Sequence, residues 1–524
     1  MAPDHGRRAH HRLAAIEDTK EPGAVNARPL ESPAYSQTDR AVLRVALIYM
    51  LSGFVIFLFM GLLGLLMRLH HAGWYVLSPD WFYRIMTIHG TGMVAGMLQA
   101  AMGAMAAALS RSVKLSVRWL WAAYFVYSLS VAFLLYAVLI GRFAGAWTVL
   151  DPLPFSGRTW DVWAGAMMYI GALCIGLGFA IYCLHVFLTL RRKYGGIGTA
   201  LGWRYLFSRG PAAADLRVPQ PVELAAMAVS IVGMITGLVG AAVVLPLLAD
   251  AAGWIAPINK LYSKNFLMFF GHAVANLTIY LAVGVVYALI PIFTGRGGHT
   301  SKLIVLAWNL TIVLVMTPIS HHLYQDFSQP IGLQILGQVA SWSIVPEVLL
   351  ITIIGSLSHI YRSGMRWSVP SILIVTGFWG WVLGGIAAVI DAAIPANNVM
   401  HNTLWVPGHF HTYYLLGVTS FVWAYLYYLI GDLGDVHEWA SSKIAAWLYG
   451  VGGVGFVLMF FFAGADSVPR RYAVYLSGWK IYAEIAVPFV VLIGISLLWL
   501  MADMSRGIGR AWQAISSAET RQTP

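Results

Sequence analysis

Twelve long apolar stretches run through this chain and leave it few possible folds. Each has about 20 or more residues, the length an α-helix needs to cross the hydrocarbon core of a bilayer. The stretches lie at residues 41–68, 82–109, 117–142, 160–191, 221–249, 263–293, 302–323, 332–360, 369–391, 403–432, 442–465 and 479–503. We therefore predict an all-α polytopic membrane protein with twelve transmembrane helices.

The composition excludes several other classes of protein. Of the 524 residues, 10% are charged and 59% are apolar, whereas a soluble domain has roughly 25% charged and about 45–50% apolar residues. An ordinary soluble enzyme, a disordered chain and a nucleic-acid-binding module are excluded, despite a net charge of +11. The environment is membrane lipid. Cys174 and Cys183 fit neither a disulfide framework nor c-type haem attachment nor an iron–sulfur cluster.

The basic residues predict the orientation. Residues 1–40 are polar and lack the apolar segment of a secretory signal, so we interpret them as a flexible cytoplasmic tail. Residues 41–503 would form the membrane domain and 504–524 a second cytoplasmic tail. Most of the 33 Lys and Arg residues then fall on the inner side, which by the positive-inside rule makes both termini cytoplasmic.

Six of the 16 histidines fall at one depth in this topology, in the outer half of the membrane. They are His89 in helix 2, His272 in helix 6, His321 and His322 at the end of helix 7, and His409 and His411 at the start of helix 10. Polar side chains at membrane depth are unfavourable and tend to mark function. Imidazole suits iron, copper and zinc, so the six rings predict metal binding.

The spacing of His409 and His411 predicts two metals beside one helix. Residues two apart on an α-helix point about 200° apart, so the two rings face opposite sides of helix 10. His411 can pair with His89 across a six-coordinate haem, an electron carrier without an open site. His409 can ligate a second haem whose free face is opposite the other three histidines. Two metals so arranged can bind a small gas and feed it electrons.

These residues resemble subunit I of the haem-copper oxygen and nitric oxide reductase superfamily. The segment HNTLWVPGHFH at 401–411 is similar to the helix 10 signature, most of all in the B-type branch. The paired histidines of helix 7, the GH at 271–272 and the RIMTIHG at 84–90 are similar to the signatures of their helices. PRRY at 469–472 resembles an outer-loop arginine pair that contacts haem propionates.

The resemblance implies the haem-copper oxidase subunit I fold and three cofactors. His89 and His411 would bind a low-spin haem and His409 a high-spin haem, both of the b type. The second metal, copper or iron, would be held by His272, His321 and His322, and the propionates would pair with Arg470 and Arg471. His401 is followed by Asn402 where the family often has a His-Asp pair, so no magnesium ion is expected.

Asn276 departs from the oxidase pattern. It lies one helical turn after His272, where A- and B-type oxidases have a tyrosine cross-linked to the histidine. Cleaving O–O in one step needs four electrons, and that tyrosine supplies one together with a proton. Asparagine has no accessible redox state. The C-type tyrosine of helix 7 is also absent, and Tyr280 and Tyr324 match no family position.

The eighth predicted helix also departs from the oxidase pattern. Pro346-Glu347 replaces the proline-threonine pair of A-type oxidases, and Leu350 replaces the lysine of their proton path. An unpaired buried carboxylate is expected to hold a proton. We interpret Glu347 as a proton donor to the site, or as an extra ligand if the second metal is iron. The alternative is a protonated glutamic acid that is hydrogen-bonded within the bundle.

The two departures favour nitric oxide as the substrate. Reducing two NO to N2O and water needs two electrons and two protons but no redox-active side chain. We therefore predict the catalytic subunit of a B-type-like nitric oxide reductase of respiratory electron transport and denitrification, with Asn276 and Glu347 as catalytic residues. Three alternatives stay open: a terminal oxidase, a gas-binding or electron-transfer cytochrome without turnover, and a transporter with incidental histidines.

Electrons must enter from another protein, because the chain has no cysteine pair in a cupredoxin fold. The resemblance implies a small membrane-anchored second subunit, which can be a cupredoxin, on the outer face above Arg470 and Arg471. Cytochrome c, a cupredoxin or quinol would be the donor. The setting would be a bacterial or archaeal cytoplasmic membrane.

Overall fold

The computed structural model of the protein is a bundle of helices. It describes residues 37–146, 159–209, 216–325, 329–347 and 352–516. Within these ranges the β-structure is limited to an isolated bridge between Thr403 and Pro469. The predicted all-α membrane fold is therefore confirmed.

The α-helices follow the apolar stretches closely. They are α1 Gln37–Ala72, α2 Pro79–Ser110, α3 Val117–Leu135, α4 Val162–Tyr194, α5 Ile197–Ala200, α6 Trp203–Phe207, α7 Pro221–Ala251, α8 Lys260–Thr294, α9 Lys302–Leu314, α10 Ile331–Glu347, α11 Gly355–Ile360, α12 Val369–Ala392, α13 Ile394–Met400, α14 Trp405–His411, α15 Ser420–Gly434, α16 Ala440–Ala465 and α17 Lys480–Ser516. Two π-helical segments, Tyr136–Ile140 and Thr412–Thr419, and two 3₁₀ segments, Pro318–Leu323 and Ser477–Trp479, complete the described elements.

Ten spans in the described ranges are long and apolar enough to cross a membrane. The seventh and eighth predicted helices are shorter than expected. In the seventh, α9 ends at Leu314 and the chain continues as the 3₁₀ segment that starts at Pro318, since proline has no N–H for a continuing α-helix. In the eighth, α10 reaches Glu347 and α11 begins at Gly355.

Both ends of the described bundle lie at one face. The guanidinium of Arg40 donates a hydrogen bond to the carbonyl of Ala514 at 2.8 Å, and Arg44 lies 5.7 Å over the ring of Trp512. An even number of crossings places both ends on the same side of a membrane, and here the start of α1 and the end of α17 are also adjacent. Both helices extend into the predicted tails, because α1 begins at Gln37 and α17 continues to Ser516.

Close approach of α1 and α2 positions the first of the six histidines. A Cβ on Gly53 would lie 2.5 Å from the carbonyl oxygen of Gly96, so the two helices touch through their backbones. Small residues at helix contacts are typical of membrane bundles. Further along the same contact, the backbone carbonyl of Met60 reaches the ring of His89 at 2.7 Å.

A buried carboxylate joins α4 and α7 at the end of the bundle away from the histidines. The side chain of Glu223 is 0% exposed and accepts hydrogen bonds from Lys193, Tyr194, Ser112 and the backbone N–H of Gln220. Burying a charge is unfavourable unless it is paired and hydrogen-bonded. Here both carboxylate oxygens have partners, so the cluster fixes the helices that it joins.

We expect Glu223→Ala to lower the apparent melting temperature of the detergent-solubilised protein. Breaking a buried pair leaves an uncompensated charge, which destabilises a protein by about 3–5 kcal/mol. Asp161→Ala is the matched control, because Asp161 is 37% exposed and pairs with Arg142 at 2.8 Å. Exposed pairs contribute about 0–1 kcal/mol. Equal losses in the two variants would contradict a structural role for the Glu223 cluster.

Candidate metal centre

Three histidines from two elements converge on one point. His272 lies on α8, and His321 and His322 lie on the 3₁₀ segment that follows α9. The candidate ligand atoms of the three rings all lie within 4.8 Å of one another. Nε2 of His322 is 2.9 Å from Nδ1 of His272 and 3.0 Å from Nε2 of His321. A cation among the three nitrogens would accept all three lone pairs, and a three-histidine site keeps a position open for substrate.

The hydrogen bond to Ser341 selects the tautomer of His321. Nδ1 of His321 lies 2.8 Å from the hydroxyl oxygen of Ser341, which donates its own hydrogen to the carbonyl of Gly337 at 2.5 Å. The hydroxyl oxygen therefore accepts from the ring N–H at Nδ1. The lone pair of Nε2 is left facing the other two histidines, as metal ligation requires.

Asn276 lies against the opposite edge of His272. Its amide nitrogen is 2.9 Å from the carbonyl oxygen of His272 and 3.3 Å from Nε2 of the ring. Nδ1 of the same ring faces the cluster. The structure thus places Asn276 beside the proposed metal ligand, on the face expected one turn along α8.

His89 of α2 and His411 of α14 face each other across a gap. Their rings are nearly parallel, at 17°, with centroids 6.2 Å apart. Nδ1 of His89 donates to Met60 and Nδ1 of His411 to Pro407, each at 2.7 Å from a backbone carbonyl, so both Nε2 atoms keep their lone pairs. Metal–imidazole bonds are about 2.0–2.1 Å for zinc. A metal ion bound by both Nε2 atoms would separate the ring centroids by two metal–nitrogen bonds and two centroid-to-nitrogen distances. That sum is close to the observed 6.2 Å.

His409 points to the other side of α14. Its Nδ1 lies 3.1 Å from the carbonyl of Gly384 on α12, and its ring meets Tyr413 edge-on, with centroids 5.1 Å apart. The helix becomes π-helical directly after His411, a local change that is frequent at functional sites. The arrangement leaves Nε2 of His409 available to a metal separate from the one that His89 and His411 would share.

One cavity of about 1230 Å³ connects these groups. All six histidines line it, together with Asn276, Arg470 and Arg471. Ordinary ligand pockets are about 300–1,000 Å³, so this cavity has room for more than one bulky group. A Cβ on Gly64 would lie 2.9 Å from the ring of His89, so the backbone of α1 packs directly against this ring at the cavity wall. The donor set and the space fit two haems and one further metal.

The arginine pair is fixed to the start of α14. The N–H of Arg470 donates to the carbonyl of Asn402 at 2.9 Å, next to the bridge between Thr403 and Pro469. Arg471 has a φ of +67°, a strain of about 1–3 kcal/mol that is typical of functional sites. Burial lowers the pKa of Arg470 to about 9, with the like charge of Arg471 as a second cause. Anionic propionates would relieve both effects.

Several cavity residues were missed by sequence analysis. They are Arg68, Lys264, Ser341, Asp391, Tyr413 and Tyr414. Tyr413 could have been found, because it lies four residues after His409 and so on the same helical face. Tyr324 instead donates its hydroxyl to the carbonyl of Ala392 at 3.1 Å, and Tyr280 packs edge-on against Trp308. The side chain of Glu347 lies outside the described residues, so its role stays a prediction.

Comparison with known proteins gives three kinds of match. Residues 44–498 match the family described as cytochrome c and quinol oxidase polypeptide I. Cytochrome c oxidase polypeptide 1 of Halobacterium salinarum is 24% identical over 249 residues, 47% of this chain and 42% of that protein. Cytochrome c oxidase subunit 1 of Corynebacterium diphtheriae is 24% identical over 494 residues, 88% of this chain and 81% of that protein.

A solved structure also matches. A heme-copper terminal oxidase dimer determined by cryo-electron microscopy superimposes with a TM-score of 0.74 and 19% identity, over 89% of this chain and 84% of that one. At this identity the likeness describes the fold. The match to the Halobacterium protein spans less than half of that protein's length.

We expect Ser341→Ala to weaken binding of the non-haem metal by about 10–100-fold, because hydrogen bonds behind a ligand orient it and set its tautomer. Ser343→Ala is the matched control, since the hydroxyl of Ser343 is exposed and donates to the carbonyl of Val339 on the same helix. Metal content after dialysis against graded chelator measures the difference. Equal retention in both variants would contradict the role of Ser341.

Proposed function

This chain belongs to the cytochrome c and quinol oxidase polypeptide I family, and within that family we propose that it reduces nitric oxide. It would be the catalytic subunit of a B-type-like respiratory nitric oxide reductase that converts two NO to N2O and water. The reaction consumes two electrons and two protons. The haems and the non-haem metal, when bound, would supply the electrons and hold the gas.

Asn276 is the observation that carries this proposal. Its amide lies 3.3 Å from Nε2 of His272, at the position where the oxidases that this sequence resembles have a cross-linked tyrosine. The amide nitrogen donates a hydrogen bond to the backbone carbonyl of His272 at 2.9 Å, and the amide group cannot give up an electron. Reductive coupling of two NO molecules needs no such electron from a side chain, whereas one-step cleavage of O2 does.

The remaining side chains would position the cofactors and exclude water. His89 and His411 would hold the low-spin haem, His409 the high-spin haem, and the three-histidine cluster the second metal. Apolar residues such as Phe460, Val382 and Ile386 line much of the cavity around them. In such surroundings the fixed hydrogen-bond donors and charges act more strongly than they would in water. Glu347 is proposed as the proton donor, at the end of α10.

The proposed partners are those that the resemblance to the superfamily implies. We propose that a small membrane-anchored second subunit, which can be a cupredoxin, docks above Arg470 and Arg471. Cytochrome c, a cupredoxin or quinol would supply its electrons. The chain would sit in a bacterial or archaeal cytoplasmic membrane with both termini in the cytoplasm and the metal centres toward the outer face.

Reduction of O2 is a second candidate. It is favoured by the relatives named cytochrome c oxidase and by the solved terminal oxidase of the same fold. This reaction would need another source for the fourth electron. Tyr413 and Tyr414 line the cavity, and the hydroxyl of Tyr414 donates to the carbonyl of Ala275 at 3.0 Å, one residue from Asn276. Tyr414→Phe would then abolish O2 reduction.

We expect the purified protein to form one N2O for every two NO consumed and to take up O2 slowly. Asn276→Tyr should reduce NO turnover at least about tenfold, because a phenol ring crowds the gas site and changes the hydrogen bond to His272; tenfold corresponds to about 1.4 kcal/mol in the barrier. Asn398→Tyr is the control, since Asn398 is exposed. NO and O2 electrodes with N2O detection measure both reactions.

Fast O2 uptake with sluggish loss of NO would contradict the proposal and favour the oxidase. An unchanged NO rate in Asn276→Tyr would show that Asn276 does not border the gas site.

A further inference from the structure

A short helical hairpin, α5 and α6, packs beside the start of α9. The two helices are joined by Leu201 and Gly202. Gly202 has a φ of +76°, and a Cβ there would lie 2.9 Å from Cγ1 of Val305, so the turn of the hairpin packs directly on α9. The positive-inside rule predicts that α9 starts at the cytoplasmic side. The hairpin therefore lies where α9 meets the predicted inner surface of the membrane.

Asn309 of α9 holds the hairpin at a defined depth. Its side-chain oxygen accepts a hydrogen bond from Nε1 of Trp203 at 2.6 Å, and its amide nitrogen donates to the carbonyl of Leu201 at 2.9 Å. Asn309 follows Lys302, the first residue of α9, by seven positions, or about 10 Å along the helix axis. Trp203 thus takes the position that amphipathic aromatic rings prefer at a membrane interface.

Apolar side chains of the hairpin and of α9 are exposed beside each other. Phe207 is 76% and Trp203 46% exposed. On α9, Leu303, Leu306 and Leu310 are exposed as well. Spacings of three and four residues place these leucines on one face of the helix. The hairpin and this leucine stripe therefore form an apolar surface that suits the acyl chains of a lipid.

Three cations gather around α6. Arg204 is exposed on the helix, and Arg209 is exposed just beyond its end. Nζ of Lys302 donates to the carbonyl of Ser208, the residue before Arg209, so its charge lies at the same end of α6. The segments 191–209 and 294–309 contain no Asp or Glu. The ion pairs in the described part of the chain involve other residues, so this positive charge is available to an anion from outside.

We propose that Arg204, Arg209 and Lys302 bind the phosphate groups of an anionic phospholipid, and that Phe207 and the leucine stripe of α9 contact its acyl chains. Basic pockets beside membrane helices on the cytoplasmic side bind headgroups of the cardiolipin type, because the cations attract the phosphates while the chains stay in the bilayer. In a zwitterionic lipid the choline group offsets the charge of the phosphate. The site therefore selects lipids by net charge, whichever gas the protein reduces.

Native mass spectrometry of the purified, delipidated holoenzyme in detergent tests the proposal. We expect cardiolipin to bind about 100-fold more tightly than phosphatidylcholine with the same acyl chains, since each of three basic side chains near an anionic headgroup contributes about fivefold. Arg204→Gln combined with Arg209→Gln should lower the cardiolipin affinity about 25-fold and leave the phosphatidylcholine affinity nearly unchanged. Arg204→Lys with Arg209→Lys keeps both charges and should retain the preference.

Arg510→Gln is the matched control, because Arg510 is exposed at the end of α17 that is predicted to be cytoplasmic. It should retain the cardiolipin affinity. An equal loss in Arg510→Gln and in the double glutamine variant would overturn the proposal, since it would indicate a diffuse attraction to the whole basic face. Arg204→Gln alone, with an expected loss of about fivefold, decides the question if the double variant does not accumulate.

Two further measurements separate a lipid site from other sites. Inorganic phosphate in excess should leave cardiolipin bound, whereas displacement by phosphate would indicate a site for a soluble anion and overturn the proposal. Trp203→Phe removes the hydrogen bond to Asn309 but keeps all three cations, so it should lower the cardiolipin affinity. Equal affinities of the unmodified protein for cardiolipin and phosphatidylcholine would overturn the proposal outright.

Discussion

The site depends on hydrogen bonds that hold the far ring nitrogen of four of the six histidines. A histidine that gives one ring nitrogen to a metal almost always donates the N–H of its other nitrogen to an acceptor. Backbone carbonyls of Met60, Pro407 and Gly384 fill that role for His89, His411 and His409, respectively. Ser341 does so for His321. These contacts orient four rings and leave their metal-facing nitrogens unprotonated.

Close backbone contacts within the helix bundle make those hydrogen bonds possible. Backbone contact between α1 and α2 brings the carbonyl of Met60 to His89, and it works because Gly53 and Gly96 have no side chains. At the other side, hydrogen bonds fix the loop of Arg470 to the residues before α14, so the arginine pair and the histidines of α14 form one unit. Positions of cations and ligands are therefore set by the same few backbone contacts.

Much of the site could be predicted from sequence, because the depth of a residue follows from the membrane topology and its helix face follows from its spacing. The predicted topology placed six histidines at one depth in the membrane, and a spacing of two residues placed His409 and His411 on opposite sides of one helix. The acceptors could not be predicted, since a carbonyl such as that of Gly384 has no sequence signature. The end of α17 was misjudged because Asp503 and Arg506 interrupt the apolar run, yet Asp503 is buried and bonded to Tyr427, Ser442 and Arg506.

We propose that the six histidines hold two haems and one further metal, with the substrate gas between the high-spin haem and that metal. Quantifying haem and total metal in the purified protein tests it most directly. We expect two haems and one additional copper or iron per chain, with one haem low-spin and one high-spin by optical and electron paramagnetic resonance spectra. Two haems without a further metal would contradict the gas-reducing centre, and a single haem would contradict the pairing of His89 with His411.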